Sequence, residues 1–272
     1  MIQAPPGKVL IAFDLSQAES WIVAHLANEP NMKRALATGD IHTETAGSAL
    51  FYPYVGCPHE WQKATQSCLV CNRTITKVER YTGKKYNHAS SYRMGPERAA
   101  QVINKDSDKP PYLVVTVRQS KTFSEAWHAY YNLKVWWADI ERQLSDTRTL
   151  STPYGRKRMF FANWGPELFK EATAYVPQST VADHFNGATH PELGIRGGLL
   201  EIYRNLVQPF RDHKIINQAH DSAILEVPIS VVDSLVPQIQ HYMMRPVIVN
   251  GEMFTIPSDI EIGDRVSEMR AA

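Results

Sequence analysis

The stretch Lys214-Ile-Ile-Asn-Gln-Ala-His-Asp-Ser-Ala-Ile-Leu-Glu-Val227 holds two apolar-rich runs on either side of His220-Asp221. Two such runs separated by two turn-forming residues predict a β-hairpin, with strands over 214–219 and 222–227. The hairpin places an acidic residue, Asp221, at the turn between its strands.

A further buried strand is predicted near the N-terminus. The run Val9-Leu10-Ile11-Ala12-Phe13 is apolar throughout and ends directly before Asp14, as expected of a strand inside a sheet. Helical patterns lie between these strands, over residues 17–29, 76–92, 95 onward, 123–144 and 166–189. Because strands and helices are mixed without the regular alternation of a parallel sheet, the sequence predicts an α+β fold.

Composition narrows the class of protein. The chain has 272 residues, a formal net charge of +1 and 43% hydrophobic residues, which is typical of a globular domain and not of a polycation. We see no apolar run of membrane-spanning length and no signal-peptide pattern, and three cysteines are too few for a disulfide framework. We therefore expect a cytoplasmic protein with no membrane partner.

Charge is unevenly distributed along the chain. Residues 73–121 contain eleven Lys and Arg against four acidic residues, whereas residues 222–272 contain seven acidic residues against three basic ones. The basic segment indicates a surface for phosphate groups, and a solvated helical face is the alternative that charge alone leaves open.

Two acidic residues suggest a metal site. Asp14 follows the N-terminal strand and Asp221 lies in the hairpin turn. Carboxylates on adjacent strand ends could bind two Mg²⁺ ions and align an in-line phosphoryl transfer. An aspartate in a turn more often bonds to its own backbone, so each residue alone is weak evidence.

One predicted helix presents a face suited to a nucleotide. Arg80, Lys84, His88 and Tyr92 are spaced by four, so they span roughly 120° of one helix face. The two cations would meet phosphates, and the imidazole and the phenol would meet the sugar and the base.

The three cysteines lie close together. Cys57-x-His59-x8-Cys68-x2-Cys71 supplies four candidate zinc ligands within fifteen residues. A structural zinc site and a set of reduced free thiols are both compatible with this spacing.

Six segments resemble, in the same order, motifs of the family A (DNA polymerase I-like) DNA polymerases. The segments begin at Asp14-Leu-Ser-Gln17-Ala-Glu19, Gly39-Asp40-Ile-His42, Arg80-x3-Lys84-x2-Asn87-x4-Tyr92, Thr152-Pro-Tyr-Gly-Arg156-Lys-Arg158, Pro177-Gln178 and His220-Asp221. The resemblance implies an antiparallel-sheet palm at 1–40 and 151–272, and mostly helical fingers at 41–150 with the Cys/His insert at 57–71.

The resemblance also implies template-directed DNA synthesis, in which a dNTP is joined to a primer 3′-OH. Asp14, Asp221 and the Leu15 carbonyl would bind two Mg²⁺ ions, and Lys84 would assist the leaving pyrophosphate. The remaining implied roles are dNTP binding by Gln17, Glu19, His42, Arg80, Lys84, His88 and Tyr92, and primer–template contacts by Arg156, Arg158, Gln178 and His220.

The sequence departs from the family pattern in residue identity. His88 stands where the family has Phe or Tyr, which affects sugar selection, and Ser222 replaces the acid that follows Asp221. These divergent motifs suggest a phage or viral origin and hence a host cytoplasm.

The sequence also departs from the family in length. In the family a thumb, and usually an exonuclease domain, precede the first motif. The expectation is therefore a fragment or split subunit without them, working with an upstream polypeptide.

Two other functions remain open at this stage. A single-subunit phage-type RNA polymerase shares the aspartate, the Lys-to-Tyr helix and the His-Asp turn. A non-catalytic remnant or accessory DNA-binding subunit is the third alternative.

Overall fold

The computed structural model describes residues 2–53, 56–62 and 64–272. Met1, Tyr54, Val55 and Lys63 lie outside the described residues, so the predicted ranges 1–40, 41–150 and 57–71 are described except at these positions. No helix in the described part of the chain combines the length and the apolar character needed to cross a membrane.

Strands and helices are mixed along the chain, and the predicted α+β class is confirmed. The elements are β1 (Lys8–Leu15), α1 (Ala18–Leu26), α2 (Pro30–Thr38), α3 (Ile41–Glu44), α4 (Lys77–Ser91), α5 (Pro96–Asn104), α6 (Val117–Tyr130), α7 (Lys134–Thr147), β2 (Thr149–Ser151), β3 (Lys157–Met159), α8 (Pro166–Asn186), α9 (Gly198–Ile202), β4 (Lys214–Ala219), β5 (Ser222–Pro228), α10 (Val232–Met243), β6 (Pro246–Val249), β7 (Glu252–Thr255), β8 (Ser258–Gly263) and β9 (Arg270–Ala271). Two π-helical segments, Thr45–Phe51 and Tyr203–Val207, continue α3 and α9.

The chain forms two compact units. The first comprises Met1–Ile22, Ser151–Arg158 and Val176–Ala272, and the second comprises Val23–Leu150 and Met159–Tyr175. The chain therefore passes between the units several times, and each unit joins segments that are distant in sequence.

An antiparallel sheet organises the first unit. Its strand order is β4-β5-β1-β8-β9, with β1 paired to β5 on one side and to β8 on the other. Leu10, Ile11 and Phe13 of β1 are almost fully buried, because a central strand has both faces covered. Phe13 stacks on Phe185 of α8 at 6.1 Å between ring centroids.

Helix α4 lies at the centre of the second unit. Thr76 and Glu79 form a capping box at its N-terminus, which satisfies N–H groups that a helix end leaves unpaired. A side chain at Gly83 would have its Cβ only 2.3 Å from the backbone oxygen of His42. Glycine at this position therefore permits the close approach of α4 and α3.

The predicted helix over 123–144 is wrong, because two helices, α6 and α7, occupy this region. Tyr131 and Leu133 are both buried, although on one continuous helix they would point about 200° apart. Breaking the helix at Tyr131–Leu133 lets both side chains reach the core. The Asn132 side chain accepts a hydrogen bond from the Lys134 N–H at 3.2 Å and so closes the turn that leads into α7.

Candidate active site

Two carboxylates lie at neighbouring positions at one end of the sheet. Asp14 pairs in register with Ser222 of β5, and the Leu15 N–H donates to the backbone oxygen of Asp221 at 3.2 Å. Both aspartates are half-buried. The pairing of β1 with the hairpin thus brings together two residues that are about 200 positions apart in sequence.

The hairpin turn itself is tight. Ala219 pairs with Ser222, so His220 and Asp221 are its two loop residues, and His220 has a left-handed backbone with φ of 53°. The Ser222 hydroxyl donates to the Ala219 backbone oxygen at 2.8 Å. The serine that replaces the family's acid therefore closes the turn.

A third carboxylate, which the sequence reasoning missed, faces the same region. Asp259 of β8 lies directly opposite Asp14 in the antiparallel register and is exposed. Like charges directly opposite each other repel, and a cation between them would remove the repulsion. The sequence gives little indication of a role for Asp259, because the alternation of Asp259 and Glu261 with apolar residues indicates only a strand with one solvent-exposed face.

The other predicted site residues of the first unit differ in exposure. Gln17 and Glu19 are half-buried at the start of α1, with Gln17 in a left-handed conformation at φ of 55°. Arg158, Gln178 and His220 are exposed, as a contact with a macromolecule requires.

Arg156, which is also exposed, pairs with a buried carboxylate. Its Nε donates to Asp183 Oδ1 at 2.9 Å and to Oδ2 at 3.1 Å, while Nη2 donates to the same carboxylate. The Asp183 side chain is only 5% exposed, and Thr152 also donates to it. Since a buried carboxylate needs such partners, Arg156 stabilises the first unit, and a DNA contact by Arg156 stays a prediction.

The predicted nucleotide face on α4 lies in the second unit. Lys84 and His88 are exposed, while Arg80 and Tyr92 are half-buried. Arg80 Nε forms an ion pair with the buried Asp40 at 2.5 Å, which holds the guanidinium at one end of the face. The exposed ammonium of Lys84 is one turn further along the helix.

A buried amide fixes the orientation of His42. The Asn87 Oδ1 atom accepts from the Trp127 indole N–H at 2.8 Å, and an indole N–H can only donate. The Asn87 Nδ2 group therefore faces His42 Nδ1, at 3.0 Å, and donates to it. His42 consequently carries its proton on Nε2 when it is neutral.

The pKa of His42 is lowered to about 3, first by burial and then by the positive charges of Arg80, His88 and Lys84, against the opposing effect of Asp40. A similar effect acts in the first unit. Burial, with the charge of Arg245, lowers the pKa of His184 to about 3, and its Nδ1 lies 2.7 Å from the Tyr154 hydroxyl. Both imidazoles are therefore neutral over the physiological range.

These two histidines should make the protein sensitive to acid. Their folded pKa values of about 3 lie below the unfolded value of about 6.5, so protons bind preferentially to the unfolded chain. Their contribution to the free energy of unfolding should be fully present above about pH 6.5 and be lost progressively as the pH falls to about 3. Urea unfolding of the H184Q variant should show a shallower pH dependence than the wild type, whereas H241Q, at an exposed histidine, should not. Equal slopes in all three proteins would contradict this assignment.

The Cys/His cluster, defined as Cys57, His59, Cys68 and Cys71, is brought together in the second unit. One ligand atom from each residue lies within 4.8 Å of the others, and all three cysteines are free thiols. Burial raises the pKa of Cys68, but hydrogen bonds from the Cys71 N–H, His59 and other backbone N–H groups outweigh it and lower the pKa to about 6.

Comparison with known proteins identifies relatives over almost the whole chain. DNA polymerase I, thermostable, of Thermus filiformis is 26% identical over 269 residues, which cover 96% of this chain and 27% of that protein. DNA polymerase I of Helicobacter pylori is 22% identical and matches 93% of this chain and 24% of its own length. The chain thus spans about a quarter of the length of these relatives.

The fold is also similar to that of a solved polymerase. The structure described as the POL domain of Pol1 from M. smegmatis in complex with DNA primer-template and dNTP has a TM-score of 0.68 and 19% sequence identity. The similarity covers 97% of this chain and 41% of that one. The family described as DNA polymerase family A matches residues 1–266, and this protein therefore belongs to DNA polymerase family A.

Proposed function

We propose that this chain catalyses template-directed DNA synthesis, in which a primer 3′-OH attacks the α-phosphate of a dNTP and pyrophosphate leaves. This proposal is carried by the placement of Asp14, near the end of β1, beside Asp221, in the turn that leads into the neighbouring strand β5. In this proposal the first unit corresponds to the palm and the second to the fingers.

The residues at this end of the sheet suit Mg²⁺. Asp14 and Asp221 offer carboxylate oxygens, which this hard cation prefers, and Asp259 opposite Asp14 adds to the negative charge. We propose Asp14, Asp221 and the Leu15 carbonyl as ligands of two Mg²⁺ ions. Bound there, Mg²⁺ would lower the pKa of the attacking hydroxyl and neutralise charge on the phosphates. The protein's own contribution is rigidity, since β1 is held from both sides by neighbouring strands.

Glu19 and Gln17 would contribute to nucleotide selection from the first unit. Glu19 lies in the first turn of α1, directly after the strand end that carries Asp14. A half-buried carboxylate near the sugar would disfavour a 2′-hydroxyl by occupying its space, which supports DNA over RNA synthesis. Arg158, Gln178 and His220, all exposed, are proposed to contact the primer–template.

The second unit would bind the triphosphate through α4. Lys84 supplies an exposed ammonium and Arg80 a guanidinium held by Asp40, and phosphoryl transfer depends on such positioning and charge neutralisation. The neutral His42, with its proton on Nε2, would donate to a phosphate oxygen. His88 and Tyr92 continue the same face towards the sugar and the base.

Primer extension tests the proposal. A labelled primer on a longer template should be extended when dNTPs and Mg²⁺ are present, and not when rNTPs replace the dNTPs. Extension that requires rNTPs would instead indicate the RNA polymerase alternative. DNA binding without extension under any metal condition would favour the non-catalytic alternative.

A further inference from the structure

Two of the ligand separations within the Cys/His cluster match those of tetrahedral zinc, and all four ligand atoms lie within 4.8 Å of one another. Cys57 Sγ and Cys68 Sγ are 3.9 Å apart, and Cys71 Sγ lies 3.6 Å from His59 Nδ1. Zinc bonds of about 2.3 Å to sulfur and about 2.05 Å to nitrogen, at tetrahedral angles, separate two sulfurs by about 3.8 Å and a sulfur from a nitrogen by about 3.5 Å. Both observed separations are thus within about 0.2 Å of the values that one shared zinc ion would set.

The backbone around Cys68 forms a turn that surrounds its sulfur with N–H groups. The Asn72 N–H donates to the Cys68 carbonyl at 2.9 Å, and Asn72 is left-handed with φ of 55°, so Cys68-x2-Cys71 forms a closed turn. Inside it, the N–H groups of Val70 and Cys71 point at the Cys68 sulfur. Backbone donors of this kind orient a metal-bound sulfur towards its ion.

A disulfide does not account for this arrangement. The sulfurs of Cys57 and Cys68 are 3.9 Å apart, whereas bonded sulfurs are about 2.05 Å apart. A disulfide between two of the three cysteines would also not explain why the third cysteine and His59 lie close to them.

The insert that carries the cluster has no regular helix or strand among its described residues. Between the π-helical segment Thr45–Phe51 and α4, the described residues pair through the isolated bridges Trp61–Cys68 and Ser67–Thr74 and through turn hydrogen bonds such as that from the Leu69 N–H to the Glu60 carbonyl at 2.8 Å. Its small apolar core comprises Cys57, Trp61, Cys68 and Ile75 against Ala46. A segment of this size usually needs a cross-link or a metal in addition to its core.

One of the four candidate ligands, His59, packs against Trp61, which connects the insert to the π-helical segment. His59 stacks on Trp61 at 5.1 Å between ring centroids, and the Trp61 indole donates to Ser48 at 3.0 Å. The indole also occupies the space where a Cβ on Gly47 would lie, 2.2 Å from a ring carbon. On the other side, Ile75 leads directly into Thr76, the cap of α4.

We propose that Cys57, His59, Cys68 and Cys71 bind one structural zinc ion, which fixes the insert between the π-helical segment and the N-terminus of α4. Binding exchanges the thiol protons for Zn²⁺, so three thiolates and one neutral imidazole complete the site. The site lies within the second unit and is independent of the proposed catalysis.

Metal analysis of the purified chain tests the proposal. Protein produced in zinc-supplemented medium should contain about one zinc ion per chain, and C71S should contain little. Cys71 is exposed, so its replacement leaves no cavity. The matched control is L69A, in the same turn and 57% exposed, which should retain zinc. Thermal unfolding of the wild type with a chelator should move to the midpoint of C71S, because zinc binding contributes to folding.

Cobalt gives a second readout that does not depend on the variant's folding. Apo wild-type protein reconstituted with Co²⁺ should show the visible absorption of tetrahedral cobalt and an ultraviolet thiolate-to-cobalt charge-transfer band. A folded wild-type chain without zinc and without the cobalt–thiolate band would overturn the proposal. Zinc retained at full stoichiometry by C71S would show that the metal lies elsewhere and would overturn it as well.

Discussion

Replacing Asp221 with asparagine should reduce nucleotide incorporation by at least about a thousandfold, which corresponds to roughly 4 kcal/mol of lost transition-state stabilisation. The asparagine side chain has nearly the same shape as aspartate, but it lacks the negative charge that a carboxylate offers to a bound cation. The turn should also survive, because its closing contact is the Ser222 hydroxyl on the Ala219 carbonyl. Incorporation of a single dNTP should be measured under single-turnover conditions, with primer–template affinity measured in parallel by fluorescence anisotropy.

The matched control for this variant is D264N, which removes an exposed carboxylate from the same unit. It should incorporate nucleotide at the wild-type rate. D221N should bind primer–template as the wild type does, so that the loss is in the chemical step. Wild-type incorporation by D221N would refute the assignment of the metal ligands.

Replacing Lys84 with alanine should lower kcat/KM for the dNTP by about a hundredfold to a thousandfold. Removing an ammonium that contacts the triphosphate in the ground state raises KM. Removing one that also neutralises charge on the leaving pyrophosphate lowers kcat. Both effects are expected, since Lys84 is proposed to do both. Steady-state kinetics over a range of dNTP concentrations would separate the two.

Lys85 offers the matched control on the same helix. Its ammonium lies 3.5 Å from Asp106 and over the Tyr81 ring at 5.0 Å, so it is committed to a different part of the second unit. K85A should keep the wild-type kcat/KM at equal helix content. An equal loss in K84A and K85A would show that general positive charge on α4 matters and would contradict a specific role for Lys84.

The sequence predicted best those elements whose signal is local. The hairpin at His220-Asp221 and the strand before Asp14 follow from turn chemistry and apolar runs, which are read over a few residues. The convergence of Cys57, His59, Cys68 and Cys71 was also suggested by spacing alone.

Features that depend on tertiary packing could not be predicted from local sequence patterns. Asp259 faces Asp14 only because β8 pairs with β1 in one particular register. The alternating pattern of β8 predicts a strand but does not predict that register. The break between α6 and α7 follows from the burial of both Tyr131 and Leu133. Likewise, the spacing of α4 predicts the face that carries Arg80 but not its pairing with Asp40.

The central position of β1 has a consequence for the order in which the protein can assemble. Both partners of this strand, β5 and β8, are encoded about 200 or more residues downstream, so β1 cannot pair on both sides until residues through β8 have been synthesised. The segment Val23–Leu150 carries most of the second unit and meets no such delay. The nascent chain can therefore complete most of its helical unit before the strand that carries Asp14 meets either of its partners.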